Sequence, residues 1–302
     1  MVAYPGVSAS LRDHRRFDYR GLRGRPVFDW PNGTRLAIYL GLNLEHFAFG
    51  EGLGAELAPS GHQPDVLNFA WREYGNRVGV WRLLNLFNEL EMPATTIVNS
   101  TIYDHCPEVM DAVRARGDEV AGHGRTNSER QGVMNEDAER ELIAQATQRI
   151  RAAEARPPEG WLGPWISESL ATPDLLHEAG YRYVLDWCMD DQPVRLRTRG
   201  GSILAIPYPQ ELNDIPAIVA RKDSASQFAD MIIDNFDEML DQAKTAPLVM
   251  GIALHPYIVG QPYRLRHLRR ALSHISRRRD DIWITRAGDI AQFCLAEPDR
   301  CV

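Results

Sequence analysis

Four short segments carry residues whose types and spacing could do chemistry. The sharpest is Ala121-Gly-His-Gly-Arg-Thr-Asn127. A histidine set directly after a strand and flanked by two glycines can turn its imidazole into a cavity, and Asn127 can reach the same centre. The second segment is Leu42-Asn-Leu-Glu-His46. Side chains alternate along a strand, so Asn43 and Glu45 share one face and Leu44 takes the other. A carboxylate on an inward face is costly unless it is paired, hydrogen-bonded or bound to a cation. The third segment, Leu254-His-Pro-Tyr-Ile-Val-Gly-Gln-Pro-Tyr-Arg264, puts His255 at a strand end, ahead of a proline and a glycine turn. That is a setting for a general acid, because an imidazole can be protonated near neutral pH. The fourth, Trp161-Leu-Gly-Pro-Trp-Ile-Ser-Glu-Ser169, ends a strand in a turn. Such a turn can offer a backbone N–H to a developing oxyanion, and Trp165 a flat wall to a substrate; the other reading of Trp165 is core packing.

Strands must place these groups. Apolar and β-branched runs predict strands over 35–43, 94–98, 119–122, 160–163, 181–185, 202–206, 248–254 and 282–285. Helical spacing predicts helices over 77–91, 107–116, 135–155, 172–179, 224–244, 263–279 and 288–295. Strand–helix alternation implies a parallel sheet. Polar groups stand at the C-terminal ends of several separate strands: Asn43 and Glu45, Asn99, His123, Asp186 and His255. A (β/α) barrel puts its chemistry there. A doubly wound sheet would gather ligand groups at one switch point beside a Gly-rich phosphate turn, and neither GxGxxG nor GxxxxGK[ST] occurs. The fold class is therefore α/β: one domain over 35–302, a closed or nearly closed barrel, preceded by an Arg-rich N-terminal arm over 1–34. The stretch from Phe47 to Gly75 reads as a long glycine-rich loop, of a length usually reserved for function. The basic stretch Arg264 to Arg279 reads as the solvated face of a helix.

Composition narrows the partners. The 302 residues carry 34 basic and 41 acidic side chains, a net charge of −7, with 44% hydrophobic and 25% charged residues. That excludes a disordered chain and argues against a nucleic-acid partner. None of the four cysteines forms a CxxC pair of zinc-site spacing. No apolar run approaches the ~20 residues of a membrane span, and the arginine-rich start does not read as a secretory leader. The expectation is a cytoplasmic protein with no membrane and no nucleic-acid partner.

Taken in order, the motifs resemble the polysaccharide deacetylase (NodB-homology) superfamily, most of all its intracellular branch of metal-independent allantoinases and peptidoglycan deacetylase-like cyclic imidases. Trp30-Pro-Asn-Gly-Thr-Arg-Leu-Ala ahead of Leu42-Asn-Leu-Glu45 looks like the entry strand. Gly122-His-Gly124 looks like the second motif, and Gly163-Pro-Trp165 sits where the family's Arg-x-Pro falls. Asp186-Trp187 resembles the Asp-Trp motif, the segment Ile206 to Asp214 a substrate-side strand and loop, and His255-Pro with Arg264 the last motif. The resemblance spans residues 27 to 295. It implies a distorted (β/α) barrel of about seven strands and a homo-oligomer, a tetramer in many relatives.

The resemblance also implies hydrolysis of a non-peptide C–N bond in a small amide, a cyclic ureide or imide, or an N-acetyl group. Glu45 assists the attacking water, His123 orients water or carbonyl, and His255 protonates the leaving nitrogen. A backbone N–H near Trp165 holds the oxyanion. Asn43, Trp165, Asp186, Glu211, Asn213, Asp214 and Arg264 are the expected substrate contacts. The metal-dependent relatives use an Asp-His-His zinc triad and a second Asp as base. Here Glu45 stands for the metal-binding Asp, Asn43 for the base and Asn127 for the second histidine. Glu45, His123 and Asn127 make a poor zinc site, so no tightly bound metal is expected, with weak zinc binding left open. The same departures fit an alternative, a catalytically silent small-molecule or carbohydrate-binding protein on this fold.

Overall fold

The first strand, β1 (Leu36–Leu44), is buried at every residue, so both its edges and both its faces must be covered. In the computed structural model, which describes residues 13–298 and 300, they are. The chain continues through α1 (Val66–Tyr74), α2 (Val80–Glu89), β2 (Ala94–Val98), α3 (Ile102–His105), α4 (Pro107–Arg116) and β3 (Glu119–Gly122). Then come α5 (Glu136–Glu154), β4 (Gly160–Trp161), α6 (Thr172–Glu178), β5 (Tyr183–Val184), β6 (Val194–Thr198) and β7 (Gly201–Ala205). The last elements are α7 (Ala225–Gln242), β8 (Leu248–Leu254), α8 (Pro256–Val259), α9 (Pro262–Ser276), β9 (Trp283–Thr285) and α10 (Ala287–Ala296).

The strands form one curled sheet in the order β6-β7-β5-β4-β3-β2-β1-β8. Every pairing is parallel except the β6–β7 hairpin. One edge of β1 is shared: β9 pairs with Ala37–Tyr39 and β2 with Leu40–Leu44. Between β8 and β6 there is no ladder. That seam is lashed by Val249 N–H to Asp191 O (2.8 Å) and Ala253 N–H to Leu212 O (3.0 Å). The barrel is thus distorted and open at one seam, with helices outside. Its interior is filled by Tyr39, Ile97, Leu162, Tyr183, Leu204, Tyr208 and Val249, and Trp30 from the arm closes the N-terminal end, its indole N–H donating to Leu248 O at 3.1 Å. Most of the arm's other described residues lie on the surface, clamped where Arg16 meets Asp174 and Arg25 meets Asp190, each closest at 2.7 Å; residues 1–12 lie outside the described residues.

Two sequence expectations need correction. The stretch 47–75 is not all loop: α1 begins at Val66, capped by Asp65, whose carboxylate accepts the Asn68 N–H at 3.1 Å. Through a π turn at Gly75–Gly79, α1 runs on into α2. A Cβ at Gly79 would lie 2.1 Å from Pro256 O, and one at Gly75 2.7 Å from the Tyr257 nitrogen. Gly75 and Gly79 let this bulge pass against α8, whereas the glycines that made the segment read as loop, Gly50, Gly52 and Gly54, lie ahead of α1. The second correction is β6, which was not predicted. Only Val194 and Leu196 of that strand turn inward, and Arg195 and Arg197, alternating with them, break the apolar run.

Candidate active site

Register alone brings the polar groups together. Leu44 pairs with Val98, Val98 with Gly122, Gly122 with Trp161, and Leu42 with Leu254. The residues that follow these pairs, Glu45, Asn99, His123 and His255, therefore fall on one rim. Glu45, His123 and His255 open into a cavity of about 130 Å³, with Asn99 behind them. Its polar lining is Asn43, Glu45, His123, Asn127, Tyr208, Gln210, Asn213, His255 and Tyr257. Phe47, Ala55, Leu162, Trp165, Ile166, Ile215 and Pro216 supply the apolar walls.

Glu45 is at the centre. Its Oε1 accepts from Asn127 Nδ2 at 2.5 Å and lies 3.6 Å from His123 Nε2 and 3.5 Å from His255 Nε2. Its Oε2 accepts from the Tyr257 hydroxyl at 2.8 Å. Burial pushes this carboxyl up, but the His255 charge, the hydrogen bonds of His123 and His255 and the His123 charge together outweigh it and hold the group at about 2. His255 is fixed from behind by Asp214: Nδ1 to Oδ1 at 2.6 Å, and the His255 main-chain N–H to Oδ2 at 2.8 Å. Burial pushes the imidazole down, and the charges of Asp214 and Glu45 with their hydrogen bonds raise it to about 10. His255 is therefore an imidazolium at neutral pH, with one N–H on Asp214 and the other facing the cavity. His123 differs. Its Nδ1 is 2.6 Å from Leu162 O, which can only accept, so Nδ1 carries a proton, and Nε2 is turned to the cavity and Glu45.

The remaining expected site residues divide. Asn43 lines the cavity, with Nδ2 donating to the Tyr208 hydroxyl (3.0 Å) and Leu254 O (3.3 Å). Trp165 also lines it, its indole N–H donating to Asn127 O at 2.9 Å. Trp165 and Ile166 both adopt left-handed φ, 64° and 51°, a strained pair that points both side chains at the cavity. Asn213 reaches the lining, with Oδ1 capping Ile215 N–H at 3.0 Å. Asp214 does not; it meets His255. Asp186 lies beneath the Trp165 turn, accepting the Gly163 N–H at 2.8 Å, with Oδ2 buried and unpartnered. Burial pushes its carboxyl up to about 7. Glu211 is exposed and paired with Arg221 at 2.7 Å. Arg264 caps Ile258 O at 3.4 Å and sits over Tyr263, away from the cavity. Tyr208 and Tyr257 were missed, although Tyr257 follows His255 by two residues in the same motif and helix α8 turns it back over Glu45.

The metal that the metal-dependent relatives use does not fit this donor set. Asn127 turns its Nδ2, not its oxygen, toward Glu45, so of the three positions that stand for the zinc ligands only a carboxylate and one imidazole remain. Among the described residues no group of three or more His, Cys, Asp or Glu could hold a metal ion.

The sequence and the fold both have counterparts among known proteins. Residues 72–184 match the sequence model of the polysaccharide deacetylase family. A Schizosaccharomyces pombe chain assigned as a polysaccharide deacetylase is 29% identical, over 91% of this chain and 95% of its own length. The Helicobacter pylori peptidoglycan deacetylase is 25% identical over 70% of this chain and 82% of its own. Among solved structures, one assigned as a polysaccharide deacetylase from Pseudomonas aeruginosa PAO1 superposes with a TM-score of 0.82 at 29% identity, over 92% of this chain and 98% of that one. The PuuE allantoinase gives a TM-score of 0.82 at 28% identity, over 93% and 98%. By motif order, fold and these relatives, the chain is similar to the polysaccharide deacetylases.

Proposed function

We propose that the chain hydrolyses a non-peptide C–N bond in a small, uncharged amide, cyclic imide or ureide. The observation that carries the reading is Glu45 set between two imidazoles held from behind by different partners: His123 by the Leu162 carbonyl and the charged His255 by Asp214. A water seated on Glu45 and His123 Nε2 attacks the carbonyl carbon. Its proton passes to this pair as the C–O bond forms. The carbonyl oxygen takes the negative charge against the main-chain N–H of Trp165, the Ile166 N–H and the Trp165 indole being given to Gly163 O and Asn127 O. The C–N bond then breaks as His255 Nε2 gives its proton to the leaving nitrogen, and the proton taken from water restores His255. Base and acid both start in the required form near neutral pH, which an ion pair of this kind secures. These steps use protein groups alone.

The cavity supports the substrate class. It is small, has no lysine or arginine in its lining, and has apolar walls at Phe47, Leu162, Ile166 and Pro216. A small soluble substrate goes with a cytoplasmic site of action. Exposed Phe49, Leu53, Leu57, Val66 and Leu67, in the stretch of chain that also supplies Phe47 and Ala55 to the cavity wall, go with a homo-oligomer, which size-exclusion chromatography tests. Among the described residues no helix is long and apolar enough to cross a membrane. The function is tested by following ring opening or amide cleavage across a panel of cyclic imides, ureides, linear amides and N-acetyl sugars. Turnover of a small imide or amide that is lost in His255→Ala supports it; turnover unchanged in His255→Ala refutes it.

A further inference from the structure

Glu45 is held by an amide whose orientation is not its own choice. Asn127 Nδ2 donates to Glu45 Oε1, but a half-turn of the amide would bring Oδ1 to the same place and set two acceptors face to face. The main chain of Asn127 does not decide between these states. Its N–H donates to His46 O at 2.9 Å and its carbonyl accepts from Trp165 at 2.9 Å, and both contacts leave the amide free to turn.

The decision comes from Asn99, buried at the end of β2. Its Oδ1 accepts the His46 main-chain N–H at 2.8 Å, and its Nδ2 donates to the His123 main-chain carbonyl. A main-chain N–H can only donate and a carbonyl can only accept, so both neighbours fix the Asn99 amide the same way round. Its Nδ2 also donates to Asn127 Oδ1 at 2.9 Å, which leaves Asn127 with Nδ2 toward Glu45. We infer that Asn99 is a positioning residue for the hydrolytic site. It carries the orientation of two main-chain groups, after β1 and after β3, through Asn127 to Glu45, and so keeps the carboxylate a hydrogen-bonded anion aimed between His123 and His255. The inference rests on the reading of Glu45 as the group that seats the attacking water.

The test reads the Asn127 side-chain amide by ¹⁵N–¹H NMR, its signals assigned by their loss in Asn127→Ala. In the wild-type chain the proton facing Glu45 lies well downfield of an ordinary side-chain amide and exchanges slowly with water. Asn99→Asp keeps the acceptor for His46 and removes both donors. There the downfield signal disappears, and kcat falls about 100-fold with KM little changed. Ordinary shifts in the wild-type chain, or a downfield proton that survives Asn99→Asp, overturn the inference. Should Asn99→Asp not fold, Asn99→Ala gives the same reading through a double-mutant cycle: Asn99→Ala/Asn127→Ala loses no more rate than Asn127→Ala alone, whereas additive losses overturn it. If the wild-type chain cleaves no amide, the proposed function fails while the amide signals still report on Asn99.

Discussion

Replacing Asp214 by Asn tests how the fold keeps His255 charged. The wild-type carboxylate accepts two hydrogen bonds from one residue, Nδ1–H at 2.6 Å and the main-chain N–H at 2.8 Å. An amide has one oxygen, so in either orientation it leaves one of these donors unpaired. It also removes the charge that does most to raise the imidazole, and burial then works against protonation with only Glu45 opposing it. His255 rises from 6.5 to about 10 in the native chain. A group raised on folding stabilises the native state fully below its unfolded value and loses that contribution as pH climbs through the folded one. The lift is worth on the order of 5 kcal/mol below pH ~6.5, falling away by pH ~10. Breaking a buried pair by removing one partner costs about 3–5 kcal/mol, which agrees. The assay is urea unfolding of both proteins from pH 6 to 10, with kcat/KM measured in parallel. Asp214→Asn should lose most stability at pH 6 and approach wild type at pH 10, and its activity at pH 8 should fall at least about ten-fold, with partial recovery on the acid side. A variant with wild-type rate at pH 8 and a stability deficit independent of pH would show that Asp214 does not hold the proton on His255.

Other consequences are equally open to measurement. Wild-type kcat/KM should be level from pH ~5 to ~9, because the coupled Glu45–His255 site ionises at about 2 and about 10; a limb near pH 7 would contradict the pairing. Asp186→Asn keeps an acceptor for the Gly163 N–H and removes a carboxyl raised from 3.8 to about 7. Such a group costs stability as pH rises from 3.8 toward 7, so the variant should gain about 2–4 kcal/mol over wild type at pH 8 and little at pH 4, read by urea midpoints. Gly79→Ala puts a Cβ 2.1 Å from Pro256 O; moving α8 should lower the melting temperature and reduce kcat together, and unchanged values of both would contradict the packing argument. Dialysis against a chelator should leave activity intact, and stoichiometric zinc in the purified protein by emission spectroscopy would contradict the donor-set argument.

Much of this site was legible in the sequence because parallel register does the assembling. Residues that end neighbouring strands must share a rim, so Asn43, Glu45, His123, Asn127 and His255 could be named as one cluster from strand positions alone. Asp186, Glu211 and Arg264 could not be placed that way. Asp186 does follow a strand, but its carboxylate is drawn under the Gly163 turn by a main-chain N–H that no pattern announces. Glu211 lies in a loop whose path depends on the open seam, and it finds Arg221 outside the barrel. The role of Asp214 was hidden because its partner, His255, is distant in sequence and the contact is closed only by that same seam, where Leu212 and Asn213 run alongside Ala253. The helix α1 was masked by Gly50, Gly52 and Gly54, which lie ahead of it.

The central claim is that Glu45, flanked by His123 and His255, drives hydrolysis of a small C–N bond with protein groups alone. The most direct measurement is the steady-state rate of chelator-treated wild-type and Glu45→Gln proteins on the best substrate of an imide, ureide and amide panel. The account predicts turnover by the wild-type chain and a loss of about 10²–10⁴-fold in Glu45→Gln, a change that keeps the side chain's shape and removes its charge. Turnover that depends on added metal, or a Glu45→Gln protein as fast as wild type, would contradict it.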